Sequence, residues 1–222
     1  MLPSRNLVRA ALAELGIACD ESAVAPAHYR VAWRLDHDAA MGREGGYFPA
    51  LCEELGVPPA RMRDAIGALS RLADRHLSGE ILWSEPAPHA LETIDALGRA
   101  GIAVVVVTNS DGHAAENLRD AGICQVTSGR GAIVAAVIDS GVAGTAKPDP
   151  AMFRAALRQV HVDPAAVVHV GDMLSTDVAG ARAAGIVPIH LDPLRRCRAP
   201  DHRHIRALSG IWRHVAPRRQ RN

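Results

Sequence analysis

The chain has 222 residues, 48% of them hydrophobic, and a formal net charge of +1. That length supports one α/β core plus a smaller second lobe, and that apolar fraction excludes wholesale disorder. A near-neutral balance gives no general reason to expect nucleic acid or a membrane surface as partner. No apolar run approaches the roughly 18 residues of a membrane-spanning helix. Met1-Leu2-Pro3-Ser4-Arg5 lacks a signal-peptide pattern, so a cytoplasmic location is expected. Cys19, Cys52, Cys124 and Cys197 are scattered without a C-x-x-C pair, which points to free thiols rather than to disulfides or a zinc site.

In chain order, Leu7, Val8, Ala11, Leu12 and Leu15 recur at helical spacing before Gly16. A second helix is expected over 21–41, interrupted near Pro26, and a third from Tyr47 to Leu55, closed by Gly56. Pro58-Pro59 opens a fourth, running to about His76 with Met62, Ile66, Leu69 and Leu72 on one face. Residues 1–83 therefore read as all-helical, and Ser78-Gly79 with Pro86–Pro88 bracket a linker. Beyond it the pattern alternates. Helices are expected at 90–100, 114–121, 151–160 and 178–184, and apolar strand runs at 102–107, 133–138, 167–170 and 186–191. Such alternation predicts βαβ units and a parallel sheet, hence an α/β core over 84–222 behind a helical lobe over 1–83. No internal repeat is visible. The tail from Leu194 carries nine Arg and a single acid, Asp201. Ile205, Leu208, Ile211, Trp212 and Val215 suggest a last helix, followed by a solvated basic end rather than a nucleic-acid arm.

The chemistry gathers at strand ends. The apolar run ending in Gly171-Asp172 is followed by Asp177, five residues on, at the start of a small-residue helix that Ser175 or Thr176 could cap. Two carboxylates facing one cleft, without a His or Cys pair, suit Mg²⁺ rather than Zn²⁺; a capped helix with two structural acids would share the spelling. Thr108-Asn109, closing another strand, offers a hydroxyl and backbone N–H groups to an anion. Of 25 basic residues 24 are Arg, and the lone Lys is Lys147, in Lys147-Pro148-Asp149-Pro150. A compact ammonium kept where Arg is otherwise preferred marks a site at which a wide planar fork would not serve. An anion-binding hydroxyl, a cation and a carboxylate pair on successive strands are what phosphoryl transfer requires.

This series resembles the haloacid dehalogenase-like (HAD) hydrolase superfamily over roughly 86–191, with the helical stretch before it similar to that family's helical cap. The resemblance implies a Rossmann-like core and a Mg²⁺-dependent phosphatase acting on a small phosphorylated metabolite. Thr108 and Lys147 would then be catalytic, Thr108, Asn109 and Lys147 would hold the phosphoryl group, and Asp172 and Asp177 would hold Mg²⁺. The Gly171-Asp172 form resembles the phosphatase branch more than the metal-independent dehalogenases.

One family motif is absent, the strand ending in Asp-x-Asp whose first Asp is the nucleophile. The family's strand order places it in mid-sheet, between the strands ending at Thr108 and Asp172. Asp36-His37-Asp38 has the spelling but sits in a helical pattern. Either the reading frame continues upstream of Met1 and the complete form is a phosphatase, which is the favoured account, or the chain is a non-catalytic phosphate-binding or protein-interaction remnant. No measurable hydrolysis by the chain itself is expected.

Overall fold

The computed structural model describes residues 1–74 and 81–215, which divide into two compact units, Met1–Glu85 and Pro86–Asn222.

The first unit is helical apart from one short ribbon. Strand β1 (Leu2–Pro3) pairs antiparallel with β2 (Trp83–Glu85). Ser4 then caps α1 (Arg5–Glu14), its side chain accepting from Leu7 N–H, while its own N–H donates to the Leu82 carbonyl (2.6 Å). The expectation of an all-helical lobe is corrected at this ribbon, because two- and three-residue strands carry no readable period. Helix α2 (Glu21–Ala40) begins at Asp20, which accepts from Ser22 N–H, and runs on through Pro26 without the expected interruption. Its buried face, Val24, Ala27, Val31 and Ala32, outweighs the roughly 3 kcal/mol that an interior proline costs. Helix α3 (Tyr47–Glu54) and α4 (Met62–Ala73), the latter entered through a 3-10 turn at Pro59–Arg61, complete the bundle. Val8, Leu12, Leu51 and Leu69 fill its core, each worth about 1.5–3 kcal/mol by removal from water. His76 and Ser78-Gly79 lie outside the described residues. Asp36 and Asp38 ride on α2, and Asp38 is paired with Arg43 (2.6 Å), so this D-x-D is not at a strand tip.

In the second unit α5 (Ala90–Arg99) leads to β3 (Val105–Thr108), α6 (Ala114–Asp120), β4 (Cys124–Gln125), β5 (Ala132–Ile133) and β6 (Ala136–Asp139). The single apolar run expected at 133–138 is thus two strands. A short α7 (Ser140–Ala143), α8 (Pro150–Val160), β7 (Val168–Gly171), α9 (Ala179–Ala183), β8 (Val187–Leu191) and β9 (Arg203–Ile205) follow. Pairing is parallel in β3–β6, in β4–β5 and in β7–β8–β9, the ladder expected of βαβ units. Ile205 lies on β9 and only Leu208–Arg213 is helical, as a 3-10 run, so the expected last helix is half strand. The basic end at 216–222 lies outside the described residues.

Helix α8 ties the pieces together. Met152 and Phe153, both essentially fully buried, pack with Val107 and Ile138 of β3 and β6 and with Ala181, Ala184 and Ile186 around α9. Gly180 is needed there, since a Cβ would stand 2.3 Å from the Phe153 ring. Among the described residues β3 pairs only with β6, and β7 only with β8, so each ends its own sheet. These apolar strands are half-buried throughout.

Candidate active site

The tips of β3, β6 and β7 bring most of the sequence-predicted residues together. Asn109, just past β3, grips Lys147 through its backbone: Lys147 N–H donates to Asn109 Oδ1 (2.7 Å), and Asn109 Nδ2 donates to the Lys147 carbonyl (3.0 Å). These bonds commit Oδ1 and one Nδ2 hydrogen of Asn109 to the Lys147 backbone. Lys147 then extends Nζ to Asp177 Oδ1 at 2.7 Å. Both side chains are largely buried, at 12% and 6% exposure. Thr108 is half-buried at the end of β3, in register with Asp139. Asn109, Lys147 and Asp177 are therefore one bonded chain, and Thr108 adjoins its first member.

Asp177 is the hub. Its Oδ1 also meets His169 Nε2 (3.0 Å), and its Oδ2 accepts from Met173 N–H (3.2 Å). Burial pushes its carboxyl upward in pKa, but the hydrogen bonds and charge of His169 and Lys147 outweigh burial and hold it well below the usual carboxylate range. Leu174–Val178 forms a π-helical turn, a geometry frequent at functional sites. It has no side-chain cap, so the capping expected of Ser175 or Thr176 is replaced by Asp177 folding back onto Met173. Gly171 makes that possible: a Cβ there would lie 2.1 Å from Asp177 Cγ. Asp172, half-buried at the β7 tip, has its carbonyl oxygen 3.3 Å from His190 Nε2.

For a metal, the donors at these tips are carboxylate oxygens, which match a hard cation such as Mg²⁺. Oδ1 of Asp177 already serves Lys147 and His169, the two partners its lone pairs allow. Its Oδ2 carries one bond among the described residues. Asp172, and Asp177 through Oδ2, are the carboxylates at these tips that could hold such a cation.

Sequence reasoning missed three supports. His169 was absorbed into an apolar strand; its place two residues before Gly171, on the same strand face, was the available signal. Asp139, buried at the β6 tip, accepts from the N–H groups of Gly112, Ala114 and Gly141 (2.8–3.1 Å) and so fixes the loop after Asn109. Ser140 Oγ accepts from Ser110 N–H (2.8 Å) and donates to the Ser110 carbonyl (2.7 Å), stitching the same two loops. Both follow an apolar run, as the predicted site residues do.

Comparison with known proteins shows the family. The profile of the haloacid dehalogenase-like hydrolases matches residues 7–185. The chain is 31% identical over 160 residues to haloacid dehalogenase-like hydrolase domain-containing protein 3 of Bos taurus, covering 68% of the chain and 61% of that protein. It is 32% identical over 155 residues to a phosphoserine phosphatase of Thermus thermophilus, covering 69% of the chain and 56% of that enzyme. The chain thus spans about three fifths of the length of these relatives. Its fold is shared with the magnesium-bound HAD-hydrolase YfnB of Bacillus subtilis, at a TM-score of 0.57 and 18% identity over 95% of this chain and 90% of that one.

Proposed function

The chain belongs to the haloacid dehalogenase-like hydrolases, and on that premise we propose that it is a phosphatase-type member acting on a small phosphate monoester with Mg²⁺. The observation that carries the reading is the bonded series Asn109–Lys147–Asp177 beside Thr108, a cation fixed at strand tips where a doubly negative group can be received. Asp177 positions Lys147, and His169 and Asp139 brace the loops. Thr108 Oγ and the backbone N–H groups after β3 bind phosphoryl oxygens, and the Lys147 ammonium neutralises their charge. Asp172 and Asp177 would hold Mg²⁺, which when bound supplies further charge neutralisation at the phosphoryl group. Residues 1–83 are the helical cap and residues 84–222 the catalytic core. Homology to a phosphoserine phosphatase supports the reaction class without assigning that substrate.

The reaction needs a carboxylate nucleophile, and of the carboxylates at the described strand tips Asp139 is occupied by backbone N–H groups while Asp172 and Asp177 are assigned to Mg²⁺. A strand seated between β3 and β7, parallel to both and ending in Asp-x-Asp, would place one beside Lys147. Its carboxylate would form an O–P bond as the ester P–O bond breaks, the leaving alkoxide taking a proton. Water would then cleave the acyl phosphate, restoring the carboxylate and releasing phosphate.

The test has two stages. With Mg²⁺ the 222-residue chain is expected to bind orthophosphate in a calorimetric titration without hydrolysing p-nitrophenyl phosphate, and Lys147→Ala to abolish that binding. Binding indifferent to Lys147→Ala would refute the site. The chain extended at its N-terminus by an apolar strand ending in Asp-x-Asp is then expected to turn over. Phosphate binding retained without turnover in that extended chain would favour the non-catalytic binder instead.

A further inference from the structure

Toward the β9 edge of the β7–β8–β9 sheet, the second unit gathers four soft or borderline ligands. His190 lies on β8, Cys197 in the loop that follows, and His202 and His204 at the entry to and on β9. One ligand atom from each of the four falls within 4.8 Å of every other. Cys197 Sγ and His202 Nε2 are 3.5 Å apart. The edges of a zinc tetrahedron, from Zn–S of about 2.3 Å and Zn–N of about 2.0–2.1 Å, are roughly 3.3–3.6 Å. That pair already stands at ligand spacing, and the widest pair has only about 1 Å to close.

The surroundings prepare the same atoms. His202, whose side chain is 2% exposed, has Nδ1 2.8 Å from Asp201 Oδ1. Asp201 is in turn paired with Arg182 (2.7 Å). A carboxylate on the far nitrogen fixes a ligand imidazole's orientation and directs Nε2 to the metal. His190 Nε2 lies 3.3 Å from the Asp172 carbonyl; an N–H donated there puts the lone pair on Nδ1. The Cys197 loop is held by buried Asp192, whose Oδ1 accepts from Arg196 N–H (3.0 Å) and Oδ2 from Cys197 N–H (2.8 Å). The three imidazoles crowd one another, with ring centroids 4.5–5.6 Å apart.

We propose that His190, Cys197, His202 and His204 form a closed tetrahedral zinc site that fastens β9 and the 192–202 loop to β8. Cys197 binds as the thiolate, its proton passing to solvent. Four protein ligands leave no open position, so the ion is structural rather than catalytic. Thiolate with imidazole selects Zn²⁺ over Mg²⁺, so this site is chemically distinct from the carboxylate pair. The scattered cysteines had argued against zinc because the ligands follow His-x6-Cys-x4-His-x-His, which contains no C-x-x-C.

The experiment uses the full chain without a polyhistidine tag. Elemental analysis should find about one zinc per chain. Cobalt(II) exchanged into the site should give tetrahedral d–d bands and a thiolate-to-metal charge-transfer band. Cys197→Ser should remove the charge-transfer band, His204→Ala should change the d–d bands, and Asp201→Asn should weaken zinc binding about 10–100-fold. Asp172→Asn, which keeps the backbone carbonyl, should leave the cobalt spectrum unaltered. Because His204 is exposed, its variant tests ligation even where Cys197→Ser fails to fold. An octahedral spectrum without the thiolate band, copper in place of zinc, or affinity unchanged in His204→Ala would overturn the assignment.

Discussion

Replacing Asp177 with Ala should expose how much of the second unit rests on one buried ion pair. The substitution strands the Lys147 ammonium and the His169 ring, each under 15% exposed, and removes the acceptor for Met173 N–H. Breaking a buried pair by deleting one partner typically costs about 3–5 kcal/mol, because the other charge is left uncompensated. Lys147 retains 12% exposure and can turn toward water, so the lower end, about 3 kcal/mol, is expected. The assay is urea denaturation followed by circular dichroism. Only the transition of the Pro86–Asn222 unit should move, and that of Met1–Glu85 serves as internal control. A cycle with Lys147→Met should show the single losses to be non-additive, with a coupling of up to about 3 kcal/mol. The pH dependence has a fixed sign. Asp177's folded pKa is depressed, so its contribution is complete above the unfolded value near 4 and is lost as pH falls below it toward the folded pKa. The cost of Asp177→Ala should therefore shrink in acid. A loss under about 1 kcal/mol at neutral pH, the range of solvent-exposed pairs, would refute the claim that this pair organises the site.

Gly171→Ala should destabilise the second unit by at least about 1–3 kcal/mol, since its methyl would collide with Asp177, and should weaken orthophosphate binding alongside; wild-type melting and binding would mean that Asp177 does not pack there. Asp139→Ala orphans the N–H groups of Gly112, Ala114 and Gly141, at about 1–3 kcal/mol for each that stays buried. Faster hydrogen exchange at 110–114 should report it, and unchanged protection would count against Asp139 as the loop's anchor. Burial pushes the Cys52 thiol up to about 11, so at pH 8 it should resist iodoacetamide in the native chain and react only on unfolding. Mass spectrometry reads this directly, and alkylation of native Cys52 at the rate of a denatured control would contradict it.

The helices and the parallel strands were legible because their signals are local. The spacing of Val8, Ala11 and Leu12, and of Met62, Ile66 and Leu69, needs only the 3.6-residue period, and the runs ending at Thr108 and Gly171 need only apolar continuity. Pro26 misled because its penalty is local while the burial that overrides it is tertiary. The ribbon β1–β2, the strands β4 and β5, and β9 were too short to show a period. The lone lysine and the paired aspartates named the candidate site from residue type and position. Sequence could not show that Asp177 spends one oxygen on Lys147 and His169, or that the Asn109 amide is committed to the Lys147 backbone.

What the chain by itself determined is therefore its class, its alternation of helix and strand, and which side chains stand at strand tips, since each follows from neighbours within a few residues. Only the tertiary structure decided which of those groups neutralise one another, that β3 and β7 end separate sheets among the described residues, and how four potential ligands spread over fifteen residues converge on a single point. Hydrogen bonds and coordination act over about 3 Å, and distances that small between remote residues exist only after the backbone has folded.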